Sequence, residues 1–259
     1  MKDFAVEMAK EAGQILMDHF ERRLAVESKS SEIDLVTEAD VASEKLIVEA
    51  IRERHPEHSI LSEEGLGEEQ AGEFLWLIDP LDGTTNYAHG YPVFCVSIAL
   101  QREEETVLGV TYDPVRDELF CAERDQGAYC NGRRLSVSDT DSLRRSLLAT
   151  GFAYTRASIE DNNVAEFGRI MPQVQGVRRG GSAALDMAYV AAGRLDGYWE
   201  FHLSPWDWAT GDLLVREAGG RTSDVSGQPW RLKSSNMVAT NGLLHEELLA
   251  VLRGNPPQL

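Results

Sequence analysis

The amino-acid sequence predicts two unlike halves packed as one unit: an α+β half with an antiparallel sheet over about residues 1–143, and an α/β half over about 144–259. Three observations predict it. Two amphipathic helical patterns open the chain, Val-, Ile- and Thr-rich segments separated by turn dipeptides follow, and from Ser146 onward strands alternate with helices. No linker-like stretch, internal repeat or low-complexity segment divides residues 1–259.

In order, Ala5, Met8, Ala9, Ala12, Leu16 and Phe20 recur at helical spacing with charges between them, so a helix runs from about Lys2 to Arg23. A polar stretch, Glu27 to Asp34, leads to a second helical pattern on Val41, Leu46, Ile47, Ala50 and Ile51, stopped by His55-Pro56. Ser59 to Leu61 and Phe74 to Ile78 read as strands, with the loop Glu63-Glu64-Gly65 between them. Phe94 to Gln101, Glu105 to Tyr112 and Glu118 to Glu123 are strand-like, and Asn131-Gly132 marks a hairpin. In the second half, Ser146 to Thr150, Val177-Arg178, Gly197 to Phe201 and Met237 to Thr240 read as strands. Ile159 to Met171, Ser182 to Gly193, Trp206 to Ala218 and His245 to Arg253 read as helices.

Composition narrows the function. The hydrophobic content of 42% and charged content of 26% are those of an ordinary globular protein, and no apolar run reaches the roughly 18 residues of a membrane span. The amphipathic start is not a signal peptide. Cys95, Cys121 and Cys130 lack C-x-x-C spacing and point to free thiols in a reducing cytoplasm. A net charge of −18 argues against a nucleic-acid surface. It would also repel an anionic substrate unless bound cations inverted the local field.

The carboxylates carry the chemistry. Asp79 and Asp82 stand at i and i+3 where the strand FLWLI ends, followed by Gly83 and two threonines. A turn accounts for one Asp and one Gly. Two acids at the carboxyl end of a buried strand, where α/β sheets place ligands, suggest an oxygen-only cation site for Mg²⁺, Mn²⁺ or Ca²⁺. An EF-hand register fails because Leu81 and Gly90 occupy the third and twelfth positions from Asp79. The D-x-D register of aspartyl-phosphate phosphatases fails because Pro80 and Leu81 both intervene. Singly, Glu63 could belong to a solvated loop, Asp207 could complete the capping box that Ser204-Pro205 begins, and the DLVTEAD segment (34–40) could cap the second helix. The tryptophans from Trp199 to Trp208 read as core. His89 and His202 lie near these acids in sequence with no acidic partner at ligand spacing.

In this order, the segments resemble the inositol monophosphatase family of Mg²⁺-dependent sugar phosphatases over nearly the whole chain. The resemblance rests on WLIDPLDGTTNYAHG (76–90) and WDWATGDLLVREAGG (206–220), with DLVTEAD (34–40), SEEG (62–65) and GGSAALDMAYVAAGRLDGYWE (180–200). It implies a layered αβαβα sandwich and phosphate-ester hydrolysis by direct attack of water. By the resemblance, Glu63, Asp79, the backbone carbonyl of Leu81, Asp82 and Asp207 hold two or three Mg²⁺ ions, with Mn²⁺ as a substitute and Li⁺ as an inhibitor. Asp40 and Thr84 would orient and deprotonate the water, and Lys29 stands at the position of a lysine on an active-site loop. Gly83 and Thr84 would meet the phosphate through their amides, while Asp82, Gly181, Ser182, Ala183, Glu200 and Asp207 would meet the sugar hydroxyls. The resemblance further implies a homodimer acting on a small phosphate monoester; the cysteines, charge and hydropathy predict a cytoplasmic protein with no nucleic-acid or membrane partner. Ser204-Pro205 replaces a His-Cys pair of the animal enzymes, so substrate preference does not carry across.

Overall fold

The computed structural model describes residues 1–25, 32–67, 72–229, 231–232 and 234–254. Lys29 and Trp230 lie outside the described residues. Helices α1 (Lys2–Ala25) and α2 (Glu32–Arg54) come first, then a seven-stranded sheet in the order β1-β2-β3-β4-β5-β6-β7. Its strands are β1 (Ser59–Ser62), β2 (Phe74–Asp82), β3 (Cys95–Arg102), β4 (Glu105–Asp113), β5 (Glu118–Glu123), β6 (Gly127–Cys130) and β7 (Arg133–Arg134). The short helix α3 (Thr84–Ala88) follows β2. The second sheet has the order β11-β12-β10-β8-β9. It comprises β8 (Leu147–Thr150), β9 (Gly176–Arg178), β10 (Gly197–Phe201), β11 (Arg221–Ser223) and β12 (Asn236–Thr240), threaded with α4 (Val164–Ile170), α5 (Ala183–Ala191), α6 (Pro205–Glu217) and α7 (His245–Leu252).

Alternation along each strand sorts these elements into layers. On β2, Trp76 and Ile78 pack with Leu16, Ile47 and Ile51 of α1 and α2, while Leu77 faces the opposite way, towards Leu185, Leu213 and Leu214 of α5 and α6. The far side of α5 and α6 meets Ala149, Tyr198 and Met237 of the second sheet. Behind that sheet, Leu148, Trp199 and Val238 pack against Ile170, Leu248 and Leu249 of α4 and α7. The result is the αβαβα sandwich, its four interfaces filled by three apolar clusters of the described residues, one of which runs through both faces of the α5/α6 layer.

Several local expectations change. The β1–β2 pair is parallel, with Ser62 opposite Ile78, so the first sheet is antiparallel only from β2 onward. Helix α2 starts at Glu32, so Asp34 to Asp40 lie within it rather than capping it. Its exposed Val41 (38%) is not a core position; Asp40, Ser43 and Glu44 are buried there instead. The helix expected from Ile159 starts only at Val164, because Asn163 turns into a left-handed conformation (φ 68°). The Asn163 side chain donates to Thr150 Oγ1 and the Gly151 carbonyl and accepts from Trp199 Nε1 at 2.6 Å, which pins the chain before the helix. Strand β11 is new; at three residues it is too short to leave a period-two pattern.

Candidate active site

The strand β2 solves a geometric problem that its two aspartates pose. Residues at i and i+3 of a regular strand point to opposite faces. Against β3, Asp79 pairs with Ser97 and Asp82 with Cys95, so β2 carries one extra residue across Pro80-Leu81. This bulge returns Asp82 to the face of Asp79 and sends Leu81 into the α1/α2 core. Pro80 suits the position, having no N–H to leave unpaired. Gly83 then turns at φ 104°, where a Cβ would lie 2.8 Å from the Val93 carbonyl oxygen, and α3 begins.

The other acids are brought in by separate devices. Glu63 directly follows β1, and its N–H donates to the Ile78 carbonyl at 3.2 Å, which places it beside Asp79. Asp207 sits in the first turn of α6, where its Oδ2 accepts the Ser204 N–H at 2.7 Å as the capping reading expects. Helix α6 lies close on the sheet because Gly109 has no side chain: a Cβ there would be 3.1 Å from Thr210 Cα. The Thr210 hydroxyl also meets Ser97 Oγ at 3.0 Å and Thr111 Oγ1 at 3.1 Å. Asp82 is held by the start of α5: Ser182 Oγ and the Ala184 N–H donate to its Oδ2 at 2.6 and 2.7 Å, and the Ala183 N–H to its Oδ1 at 3.3 Å.

Glu63, Asp79, Leu81, Asp82, Gly83, Thr84, Gly181, Ala183, Glu200 and Asp207 all line one cavity of about 300 Å³. Its remaining wall includes Gly151 to Thr155, Arg179, His202, Leu203, Ser204 and Trp206. Ser182, expected at the sugar, is instead buried behind Asp82 with its hydroxyl used there. Asp40 is buried beneath the site on α2 rather than in the cavity wall, and its Oδ1 has no partner among the described residues. The Thr84 hydroxyl donates to the Leu81 carbonyl at 3.1 Å. Of the tryptophans, Trp199 and Trp208 are core, while Trp206 reaches the cavity.

Crowding of like charges out of water sets the electrostatics. Burial, and then Glu63, Asp82 and Asp207, push Asp79 well above the carboxylate range. Asp207 is raised in the same way, by burial and then Asp82. Burial lifts Asp82 despite its four donors, the Cys95 thiol at 3.8 Å being the fourth. Glu63, at the cavity lip, is pushed up to about 7 by desolvation and then chiefly by Asp82, and Asp40 to about 8 by burial and then Glu63. Glu200 rises to about 7 through burial, offset by the hydrogen bond from Tyr198.

An oxygen-only set of mutually raised acids, with the Asp40 carboxylate oxygen unpartnered beside it, fits hard divalent cations, which would neutralise the set and retain water or substrate oxygens as further ligands. The cluster His55, Glu57 and His58 has ligand atoms within 4.8 Å of one another but does not fit a metal. His58 Nδ1 accepts the Trp76 Nε1–H at 3.0 Å, so the ring proton is on Nε2 and neither nitrogen has a free lone pair.

Two positioning residues escaped sequence reading. Glu44 accepts from Ser62 Oγ (2.6 Å), the Leu66 N–H (2.7 Å) and the Glu64 N–H (2.8 Å), and so shapes the loop that carries Glu63. The available signal was a polar stripe, Asp40, Ser43 and Glu44, in register with the buried Ile47 and Ile51. Asn86 donates to the carbonyls of Val93 (2.7 Å) and Gly180 (2.9 Å), tying α3 to the turn before α5. His202, for which the sequence offers no acidic partner at ligand spacing, meets Asp161 in space.

Comparison with known proteins identifies the family. The profile of the Inositol monophosphatase family matches residues 1–256. An inositol-1-monophosphatase of Synechocystis is 47% identical over 98% of this chain and 89% of its own. The Nus factor SuhB of Pseudomonas aeruginosa is 45% identical over 100% of this chain and 98% of its own. A solved inositol monophosphatase from Anabaena superposes with a TM-score of 0.89 at 48% identity, covering 98% of this chain and 96% of the other. The chain belongs to the inositol monophosphatase family, and with it to the phosphatases.

Proposed function

We propose that the protein is a Mg²⁺-dependent phosphomonoesterase that releases phosphate from myo-inositol 1-phosphate or a similar polyol phosphate by direct attack of water. The observation that carries this reading is the convergence of Glu63, Asp79, Asp82 and Asp207, from the loop after β1, from strand β2 and from helix α6, on one cavity. These four, with the Leu81 carbonyl, are the residues that would hold two or three Mg²⁺ ions, or Mn²⁺ in their place. When bound, the ions supply charge neutralisation for the phosphate and lower the pKa of water.

The chain's own groups do the rest. Asp40, buried beneath the cavity, takes the proton of the attacking water through Thr84, which orients that water once its hydroxyl turns from the Leu81 carbonyl. The amides of Gly83 and Thr84 face the phosphate oxygens, and the backbone of the 181–183 turn meets the leaving group. Glu200 accepts hydrogen bonds from its hydroxyls. Lys29, by the family resemblance, adds a positive charge near the phosphate. The enzyme works as a homodimer, as the resemblance implies, in the cytoplasm, which three free cysteines suit.

Phosphate release with Mg²⁺ should be strong for inositol 1-phosphate. Histidinol phosphate, fructose 1,6-bisphosphate and a 3′-phosphonucleotide test the same chemistry on other leaving groups. EDTA should abolish turnover, Li⁺ should inhibit it, and Asp82→Asn should lower it about 100-fold or more, since a cation clamp is worth several kcal/mol. Undiminished turnover in Asp82→Asn sinks the proposal. The relatives named Nus factor SuhB support a second reading, binding of a protein or RNA partner, in which Asp82→Asn would keep binding while losing turnover.

A further inference from the structure

His202 holds a backbone conformation that is uncommon for any residue but glycine. Its φ is 60°, in the left-handed region, which crowds a Cβ and suits glycine. It follows β10 directly, two residues after Glu200, and lines the same cavity. Its Nε2 lies 3.0 Å from Asp161 Oδ1 and 3.3 Å from the Asp161 carbonyl oxygen. Asp161 is 72% exposed, so this contact adds too little to the fold to explain the strain. Strained backbone of this kind is kept where a site uses it.

The contact does fix the ring chemically. Both Asp161 atoms are acceptors, so a ring hydrogen is on Nε2, and in the neutral tautomer this selects, Nδ1 is the acceptor. We infer that His202, positioned by Asp161, reads the leaving group: Nδ1 accepts a hydrogen bond from a hydroxyl of the departing alcohol and selects polyhydroxylated leaving groups over bare ones. This rests on the phosphatase reading above and names a determinant that the metal-holding acids do not supply. Around it, the Tyr154 hydroxyl, which accepts from Thr85 Oγ1 at 3.2 Å, and the Glu200 carboxyl add further polar groups at the cavity wall.

The test compares kcat/KM, with Mg²⁺, for myo-inositol 1-phosphate and for cyclohexyl phosphate, the same ring without hydroxyls. The wild type should prefer the inositol ester. His202→Gly removes the acceptor and relaxes the backbone; the preference should fall about tenfold, the loss of one hydrogen bond, while Tm holds. His202→Asn, which tolerates the left-handed region and keeps an acceptor oxygen, should recover part of the preference. An unchanged ratio in His202→Gly overturns the inference, as does an equal loss on both substrates, which would mark a structural role. A wild type that hydrolyses neither ester defeats the phosphatase reading as well; one that hydrolyses both with the ratio unmoved in the variant defeats this inference alone.

Discussion

Asp40 and Glu44 stand one turn apart on α2, both buried and both acidic, and the molecule treats them in opposite ways. Glu44 receives three donors, one hydroxyl and two backbone N–H groups, from the loop between β1 and β2. Asp40 Oδ1 receives none among the described residues, and its carboxyl is pushed up to about 8. A buried polar group with every bond made builds structure; one left open costs stability and persists where chemistry needs it. The contrast sets a scaffold acid on α2 beside the acid that the proposed function uses as its base.

The sharpest way to break that division is Asp40→Asn, which keeps shape and removes the proposed base. Turnover should fall by about 10²- to 10⁴-fold, the usual contribution of a general base, with Tm equal to or above the wild type. A variant with near-normal turnover would return Asp40 to the scaffold. Glu44→Ala should do the reverse in kind: it strands three donors at roughly 1 kcal/mol each, so thermal melting should drop by roughly 6–12 °C. Glu63 then loses its support, and affinity for Mg²⁺ should weaken as well. A Tm within a degree of the wild type would show that the loop holds itself.

A third buried group extends the comparison to a smaller effect. His245, at the start of α7, is wholly buried, and its two nitrogens meet Ser223 Oγ at 2.8 Å and Thr240 Oγ1 at 2.9 Å. Burial, and then Arg221 with a smaller push from Arg253, lower its pKa to about 4, while Glu246 pulls weakly the other way. The unfolded chain takes up this proton near pH 6.5 and the folded one only near 4, so the neutral ring's stabilisation is present above 6.5 and is lost as pH falls towards 4. Over that window the wild-type Tm should fall by on the order of 5 °C more than that of His245→Gln. Parallel curves would remove His245 from the class of satisfied nodes.

What the sequence made legible is what lies close together along it. Asp79, Asp82, Gly83 and Thr84 fall within six consecutive residues, and their spacing raised the question that the β2 bulge answers. The capping pattern at Ser204 to Asp207 was likewise local. Glu44 was invisible because its partners lie 18 to 22 residues away, and the pair His202–Asp161 because 41 residues separate it. Helix α2 shows a subtler failure: reading its apolar residues alone placed Val41 inward, when Asp40, Ser43 and Glu44 fill those positions. Polar residues in register with a hydrophobic stripe mark a helix that faces a site. The start of α4 depended on tertiary bonds to Asn163 that no propensity encodes.

Asp82 joins the two sheets' territories at a single carboxylate, since the groups that hold it, Ser182, Ala183 and Ala184, lie about a hundred residues further along the chain. During synthesis the bulged strand emerges long before its clamp, and Asp207 later still. Closing contacts of that span comes late in folding. A nascent or truncated chain that has formed the first sheet therefore has no organised acid cluster with which to capture ions or cleave esters, and turnover reports that the far half of the polypeptide has docked.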